Sequence, residues 1–539
     1  MLIAQLHGRI LERIRRPAMG LLVLAGSGLT SGVAAQGTPF AMVYRRGADT
    51  IGVERVTMQG ATLTGDIVLR GLPRMEWRTT PGATGAVTSI AIRAWRDASA
   101  DAPLLQRAEI TLVGDSVRAE MTNPAGATTT QRFRSGPHAF LLVNASGAMV
   151  NLALARALAT PSPVDTFPVF LTSGGQTVPS VFRTWGDSAS WDVAGQVTVM
   201  SVRSGHVQEV YLAQQNLRMT RVEGRALNTL TLGAPDYNAP AGAPYSAERV
   251  AIASRGGFTL VGTLTMPRDA RFPVPVVVTI SGSGPQDRDE YIPLVPGFRP
   301  FRQFADTLGR HGIGVLRMDD RGTGESGGSF RGSTSADFAN DIRDAIRWLR
   351  ARPDVDGRRV VLLGHSEGGL IAPMIAADDP TLAGIVLLAG PSRNGLEIVR
   401  FQQRYAITHD TSLSTPARRD SAIAAAAREL DRMARTDKWM QFFFSYDPLA
   451  TARRVKVPVL IAQGGSDQQV TADQAGELAA AIRAAGNTDV TVRVFPERNH
   501  LFLPDVTGNP ANYTTLTSGH IGADVVGPVL DWIVAHTRR

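Results

Sequence analysis

The pentapeptide Gly364-His365-Ser366-Glu367-Gly368 stands between two apolar runs, Val360-Val361-Leu362-Leu363 before it and Leu370-Ile371-Ala372-Pro373-Met374-Ile375-Ala376 after it. The short run reads as a buried strand and the longer one as a helix, so the chain must turn from one to the other within five residues. A turn that abrupt tolerates no bulk on its inside, and Gly364 and Gly368 supply the missing bulk. A serine at the apex has its hydroxyl lifted clear of the sheet edge, where the first amides of the new helix point at whatever it attacks. Ser366 is therefore a candidate nucleophile in an α/β setting.

The surrounding sequence has the rhythm such a setting needs. A hairpin is expected from Arg249-Val250-Ala251-Ile252 across Gly256-Gly257 to Thr259–Leu264, followed by buried runs at Val276–Ile280, Ile313–Leu316, Val360–Leu363, Ile385–Leu388, Val459–Ala462 and Val490–Phe495. Apolar strands without strict alternation suit a parallel sheet covered on both faces. Between them lie helical stripes, among them Phe338, Ile342, Ala345, Ile346 and Leu349 after the cap candidate Ser335, and Val525, Val526, Val529, Leu530, Ile533 and Val534 near the end. Two later strands are followed at once by polar residues of useful type: Gly464-Gly465-Ser466-Asp467 and Glu497-Arg498-Asn499-His500. Both lie past the carboxyl ends of expected strands, where open sheets place their ligands.

Taken together, residues 249–539 resemble the α/β-hydrolase family, in its secreted bacterial esterase or serine-aminopeptidase-like branch, with Gly364–Gly368 matching the family's nucleophile elbow. The resemblance implies a triad in chain order: Ser366 as nucleophile, Asp467 as the acid, His500 as the base, with His520 as a weaker rival because it follows the last strand. It implies an oxyanion hole from the backbone amides of Glu367 and of Ser283, with Gly282 and Gly284 allowing the close approach; Ser281 stands where the family often has histidine. Asp319-Asp320-Arg321-Gly322-Thr323-Gly324-Glu325-Ser326 is similar to the family's loop after the fourth strand, in which Asp320 and Arg321 are expected to tie the loop to its neighbours and support the elbow. Its glycines precede no Lys-Ser/Thr pair, so no nucleotide use follows. Pro285-Gln286-Asp287-Arg288-Asp289-Glu290 is similar to a segment that lines the site entrance in the family, or is a charged surface loop. Residues 391–447 interrupt the alternation with a helical pattern where the family inserts its cap, and Trp439, Phe442, Phe443 and Phe444 either line an acyl pocket or fasten the cap to the core.

Upstream the character changes. Between residues 36 and 232, stretches such as Glu109–Val113, Ser116–Met121 and Gln196–Val202 alternate with period two between Gly, Asp, Asn and Pro turns, which predicts antiparallel strands with one wet face. Leu152–Ala159 is the one helical candidate there. The Pro- and Gly-rich stretch 233–244 halts any element, so a linker is expected over 233–248 with the hydrolase domain from 249. The expected fold class is thus an α/β-hydrolase with a helical cap, preceded by a mostly antiparallel β-rich domain.

Residues 1–35 carry Arg9, Arg13, Arg15 and Arg16 ahead of the mostly apolar Ala18–Leu29 and end on Val33-Ala34-Ala35. That is the pattern of a secretory signal cleaved near Ala35, and its apolar core falls short of a spanning helix. These arginines less Glu12 account for +3 of the formal charge of +8, which leaves +5 on the mature chain. Scattered arginines without interleaved aromatics give no nucleic-acid signature. The chain has no cysteine, which excludes disulfides, thiolate metal sites and a cysteine nucleophile. His138 and His206 stand alone, so neither a metal nor a cofactor is expected.

The chemistry these residue types suit is acyl transfer. A small or medium ester is the expected substrate. A serine peptidase is the alternative, in which Asp287, Asp289 and Glu290 would hold a free amino terminus. A third reading is a non-catalytic binding protein on a hydrolase scaffold.

Overall fold

The computed structural model describes residues 38–538, apart from 48, 71, 96–101, 231, 233–234, 269–272, 411–412 and 414. The expected signal segment 1–35 lies outside the described residues. The chain divides into two compact units at 234/235.

In the first unit a single sheet of fifteen strands is centred on Phe40–Arg46 and runs outward to Thr128–Arg134 on one side and to Phe140–Leu142 on the other. Neighbouring strands pair antiparallel, except Phe140–Leu142 with Val164–Leu171, which is parallel. Period-two burial follows the sequence alternation: in Gln196–Arg203, Thr198 and Met200 are buried and Val197 and Val199 exposed. The ring of Phe133 lies 5.5 Å from that of Phe170, so the two ends of the sheet curl toward each other around one core.

The helix of this unit spans Ala148–Leu158, starting four residues before the expected position. Its N-terminus has no side-chain cap of its own. Instead the buried Glu54 carboxylate accepts from the Ala148 amide (2.9 Å), Ser146 Oγ (2.5 Å), Tyr44 Oη (2.7 Å) and Trp77 Nε1 (2.7 Å). A carboxylate at a helix N-terminus satisfies orphan donors and opposes the dipole. Burial nonetheless raises the Glu54 pKa against the pull of those four donors.

The second unit holds an eight-stranded sheet in the order Tyr245–Ala253, Thr259–Pro267, Gly314–Met318, Val274–Ile280, Val355–His365, Gly384–Leu388, Val459–Gly464, Val490–Phe495. The first hairpin pairs antiparallel and Thr259–Pro267 runs antiparallel to Gly314–Met318; the remaining pairs are parallel. Alternate residues of one strand feed opposite cores. Val276, Val278, Val360 and Leu362 pack under helices Ser335–Arg350, Glu367–Ala376 and Asp473–Ala484, while Val277, Val361 and Leu363 pack under Pro300–Arg310 and Ala523–Thr537. That double coverage is why these strands read as unbroken apolar runs.

Helices Gly395–Thr408, Pro416–Ala434, Lys438–Ser445 and Pro448–Ala452 occupy the insertion after Gly384–Leu388. The insertion has its own small core, in which Val399, Ile407, Ala426, Leu430, Trp439 and Phe443 close over Leu370 of the helix after Ser366. Among the described residues no helix is long and apolar enough to cross a membrane.

One cap differs from expectation. The N-cap of Ser335–Arg350 is Thr334, whose side chain and that of Asp337 form a reciprocal capping box, and Ser335 is the first helical residue. Freed from capping, the Ser335 hydroxyl donates to Glu367 Oε1 at 2.6 Å.

Candidate active site

Ser366 joins strand Val355–His365 to helix Glu367–Ala376 with φ 53° and ψ −115°. A non-glycine residue pays strain for such a conformation, and it persists because the turn has no alternative. A Cβ on Gly364 would overlap the Gly368 carbonyl, and one on Gly368 would overlap the carbonyl of Ile280 in the next strand. The Ser366 amide donates to the Leu388 carbonyl at 2.8 Å, which anchors the turn to the other neighbouring strand.

Asp467 and His500, thirty-three residues apart in sequence, meet at 2.7 Å between Oδ2 and Nδ1. Both are buried. The other Asp467 oxygen accepts from the amides of Gln469 (2.7 Å) and Val470 (3.0 Å), and Gln463 Nε2 donates to Oδ2 at 3.0 Å. With the carboxylate held from three sides, Nδ1 of His500 is the ring's N–H donor and Nε2 is left without a partner among the described residues. Asn499 frames the loop beneath it, its Oδ1 accepting from the amides of Leu501 (3.0 Å) and Leu503 (3.1 Å). His520 is exposed, bonded to Gln303, and does not join this pair.

The loop after Val274–Ile280 passes beside the nucleophile: a Cβ on Gly282 would lie 3.2 Å from Ser366 Cβ. Ser281 Oγ donates to Asp320 Oδ1 (2.8 Å) and the Gln286 amide to Asp320 Oδ2 (2.9 Å), so Asp320 clamps both ends of this loop. Burial holds the Asp320 pKa well above the usual carboxylate range. Arg321 reaches elsewhere, pairing with Asp341 at 2.6 Å and donating to the Asp337 carbonyl; it secures its loop to helix Ser335–Arg350 and not to the elbow.

One expectation needs correction. Residues Pro285–Glu290 do not form a charged surface loop, because Gln286, Arg288, Asp289 and Glu290 are buried. Arg288 grips Asp319 through Nη2 (2.6 Å) and Nε (3.1 Å), and Asp289 pairs with Arg317. Asp287 accepts from Tyr237 Oη (3.1 Å) and the Tyr291 amide (2.9 Å); burial, then the neighbouring Asp289 charge, push its pKa up to about 6. Asp289 is thus engaged by a buried arginine and Asp287 by a tyrosine hydroxyl and a backbone amide. The Glu367 carboxylate is buried and accepts from Ser335 Oγ and, at 2.8 Å, from Trp439 Nε1 of the insertion. Burial raises its pKa.

The residue before the nucleophile carries no signal of its own in the sequence but has a defined place in the site. His365 is buried, with Nδ1 2.8 Å from Glu290 Oε1 and Nε2 3.0 Å from the His500 carbonyl. Burial works to lower its pKa, but the Glu290 charge and the hydrogen bonds outweigh that and the pKa is raised. Among the described residues no three His, Asp or Glu side chains are grouped as a metal ion would need.

The doubly covered sheet, the strained serine between strand and helix, and a later acid and histidine in the order Ser, Asp, His define the second unit as an α/β-hydrolase-superfamily domain. Within that superfamily the Hydrolase_4 family, described as "Serine aminopeptidase, S33", matches residues 298–507. That span contains Ser366, Asp467 and His500. The chain is 30% identical over 285 residues to esterase EstD of Thermotoga maritima, covering 51% of this chain and 65% of that one. It is also 30% identical over 279 residues to dipeptidyl aminopeptidase BIII of Pseudoxanthomonas mexicana, covering 49% of this chain and 37% of that one. An esterase structure from Pyrococcus furiosus superposes with a TM-score of 0.39 at 16% identity, covering 57% of this chain and 97% of that one.

Proposed function

We propose that the protein is a serine hydrolase that cleaves small carboxylic esters through an acyl-enzyme. The observation that carries the reading is the Asp467–His500 contact at 2.7 Å, which makes Nδ1 the donor nitrogen; in this reading the other nitrogen, Nε2, serves Ser366. Ser366 Oγ attacks the ester carbonyl carbon as His500 Nε2 takes its proton. The carbonyl oxygen becomes an oxyanion held by the amides of Glu367 and Ser283. As the intermediate collapses, the C–O bond breaks and His500 returns the proton to the leaving alcohol. Water, deprotonated by the same histidine, then releases the acid and restores Ser366. Ser283 is favoured over its neighbour as the second donor because the Gly282 amide is already given to Glu290 Oε1 at 2.7 Å. Preorganised amides of this kind stabilise charge as it develops.

The similarity to both an esterase and an aminopeptidase leaves the choice of bond to the site, and the site favours esters. A peptidase acting on free amino termini needs an accessible carboxylate, whereas Asp289 is buried against Arg317, Glu290 is buried with one oxygen shared between Gly282 and His365, and Asp287 is engaged by Tyr237. The intact set of nucleophile, base and acid likewise favours catalysis over a scaffold role. A panel of p-nitrophenyl esters against amino-acid p-nitroanilides tests the reading. Turnover of short-chain esters, abolished in His500→Ala and Asp467→Ala, is expected; efficient cleavage of the anilides with idle esters would replace it by the peptidase.

The proposal extends to place and organisation. A chain exported and cleaved near Ala35 is favoured by the basic, then apolar, then small-residue order of 1–35, and amino-terminal sequencing from the native host should read from Gln36. The β-rich unit is assigned a non-catalytic role, because residues 36–232 offer no paired nucleophile and base in the sequence.

A further inference from the structure

Three loops must keep register for the proposed chemistry: the one carrying Ser283, the elbow carrying Ser366, and the one carrying His500. The structure joins all three through a pair of buried side chains that touch no reacting atom. Glu290 Oε1 accepts from the Gly282 amide at 2.7 Å, one residue before Ser283. The same oxygen lies 2.8 Å from Nδ1 of His365, one residue before Ser366. The opposite ring nitrogen of His365 lies 3.0 Å from the carbonyl of His500 itself. A carbonyl can only accept, so His365 Nε2 carries a hydrogen, and the ring spans two acceptors on two different loops. The His365 and His500 rings are 5.0 Å apart between centroids.

Glu290 is placed for this at some cost. It is a non-glycine residue with φ 54°, buried, and its second oxygen has no hydrogen-bond partner among the described residues. Backbone strain and an unpartnered buried oxygen are retained where the surroundings overdetermine them. Here the surrounding demand is the single oxygen shared by Gly282 and His365.

We infer that Glu290 and His365 form a positioning bridge that sets the Ser283 amide, Ser366 and His500 relative to one another, and so governs the transition state more than substrate binding. The inference rests on the serine-hydrolase reading of the site. A shift of an ångström in a donor aimed at a developing charge forfeits much of its effect, whereas the ground-state ester is held elsewhere.

The full chain is assayed with a p-nitrophenyl ester in six forms: wild type, Ser366→Ala, Glu290→Leu, Glu290→Gln, His365→Asn, and the double variant Glu290→Leu/His365→Asn. His365→Asn is expected to keep the reach to Glu290 but lose the His500 carbonyl. It and Glu290→Leu should each lower kcat by about 10²-fold, the order seen when one oxyanion donor is lost. Their KM should stay within about threefold of wild type. Glu290→Gln still offers an oxygen to the Gly282 amide but no charge to hold the second His365 proton, so its kcat should fall between those of wild type and Glu290→Leu. The double variant should be little worse than either single, because both break one bridge. Wild-type kcat in Glu290→Leu and His365→Asn, or full additivity of the two, would each overturn the bridge while an inactive Ser366→Ala left the reading standing. Turnover surviving in Ser366→Ala would overturn the reading and the bridge with it. Melting curves accompany each form, and if Glu290→Leu does not fold, His365→Asn decides: lowered kcat at unchanged KM supports the bridge and wild-type kcat overturns it.

Discussion

The indole nitrogen of Trp439 donates to the Glu367 carboxylate at 2.8 Å, so the helical insertion is fastened to the residue directly after Ser366. The aromatic cluster of the insertion thereby has a divided role. Trp439 and Phe443 stack with centroids 4.8 Å apart and are buried as fasteners, while Phe442 and Phe444 keep partial exposure.

Trp439→Phe preserves most of the stacking and removes one donor from a buried carboxylate. Urea unfolding should show a loss of about 1–3 kcal/mol, the range for a buried acceptor stripped of a partner. Selectivity between short and long acyl p-nitrophenyl esters should shift more than turnover of the shortest one. Unchanged stability would show that the contact does not hold the insertion.

Glu54 makes the stability of the β-rich unit depend on pH. An acid whose pKa is raised on folding binds its proton more tightly in the folded state. Stability is therefore full below the unfolded value and falls as pH rises through the folded one. Glu54→Gln cannot ionise and should lose that decline, although its amide forces one donor against another and costs about 1–3 kcal/mol at acid pH. Urea titrations followed by tryptophan fluorescence from acid to neutral pH compare the two slopes; parallel slopes would contradict the account.

What the sequence disclosed and what it hid differ by range. The elbow, Asp467 and His500 were legible because each follows its own strand within a few residues, and apolar runs mark those strands. The cap of the helix after the fourth strand was misplaced by one residue: Ser335 was expected, whereas Thr334 and Asp337, three apart, form the capping box. Glu290 and His365 were not legible, since seventy-five residues separate them and Asp287-Arg288-Asp289-Glu290 reads as a wet loop until its partners Asp319, Arg317 and His365 are seen around it. The start of the helix at Ala148 was hidden for the same reason, being set by a carboxylate ninety-four residues away.

Gly368 abuts the Ile280 carbonyl so closely that Gly368→Ala must push the elbow off its neighbouring strand. Overpacking of this kind costs about 1–3 kcal/mol or more. Loss of ester turnover should exceed what the fall in melting temperature explains, because the shift lands on the Glu367 amide. A fully active Gly368→Ala would show that the turn is looser than its contacts imply.

The boundary at 234/235 leaves Tyr237 with the hydrolase unit, where its ring lies 4.1 Å from the Arg288 guanidinium and its hydroxyl meets Asp287. The linker expected over 233–248 is thus partly docked. A chain beginning at Pro235 should hydrolyse a small activated ester, and one beginning at Tyr245 should be less stable by about 1–3 kcal/mol for want of that cation–π contact and hydrogen bond. Equal thermal stability of the two would contradict this assignment. A folded Pro235 chain with no turnover would show that the first unit takes part in the chemistry.

The central claim is that Ser366 is the residue acylated. Intact-mass analysis after treatment with a fluorophosphonate probe tests it most directly, with peptide mapping to locate the adduct. The account predicts a single adduct on Ser366, absent in Ser366→Ala and strongly slowed in His500→Ala. A Ser366→Ala protein that still takes up one adduct at the wild-type rate would contradict it.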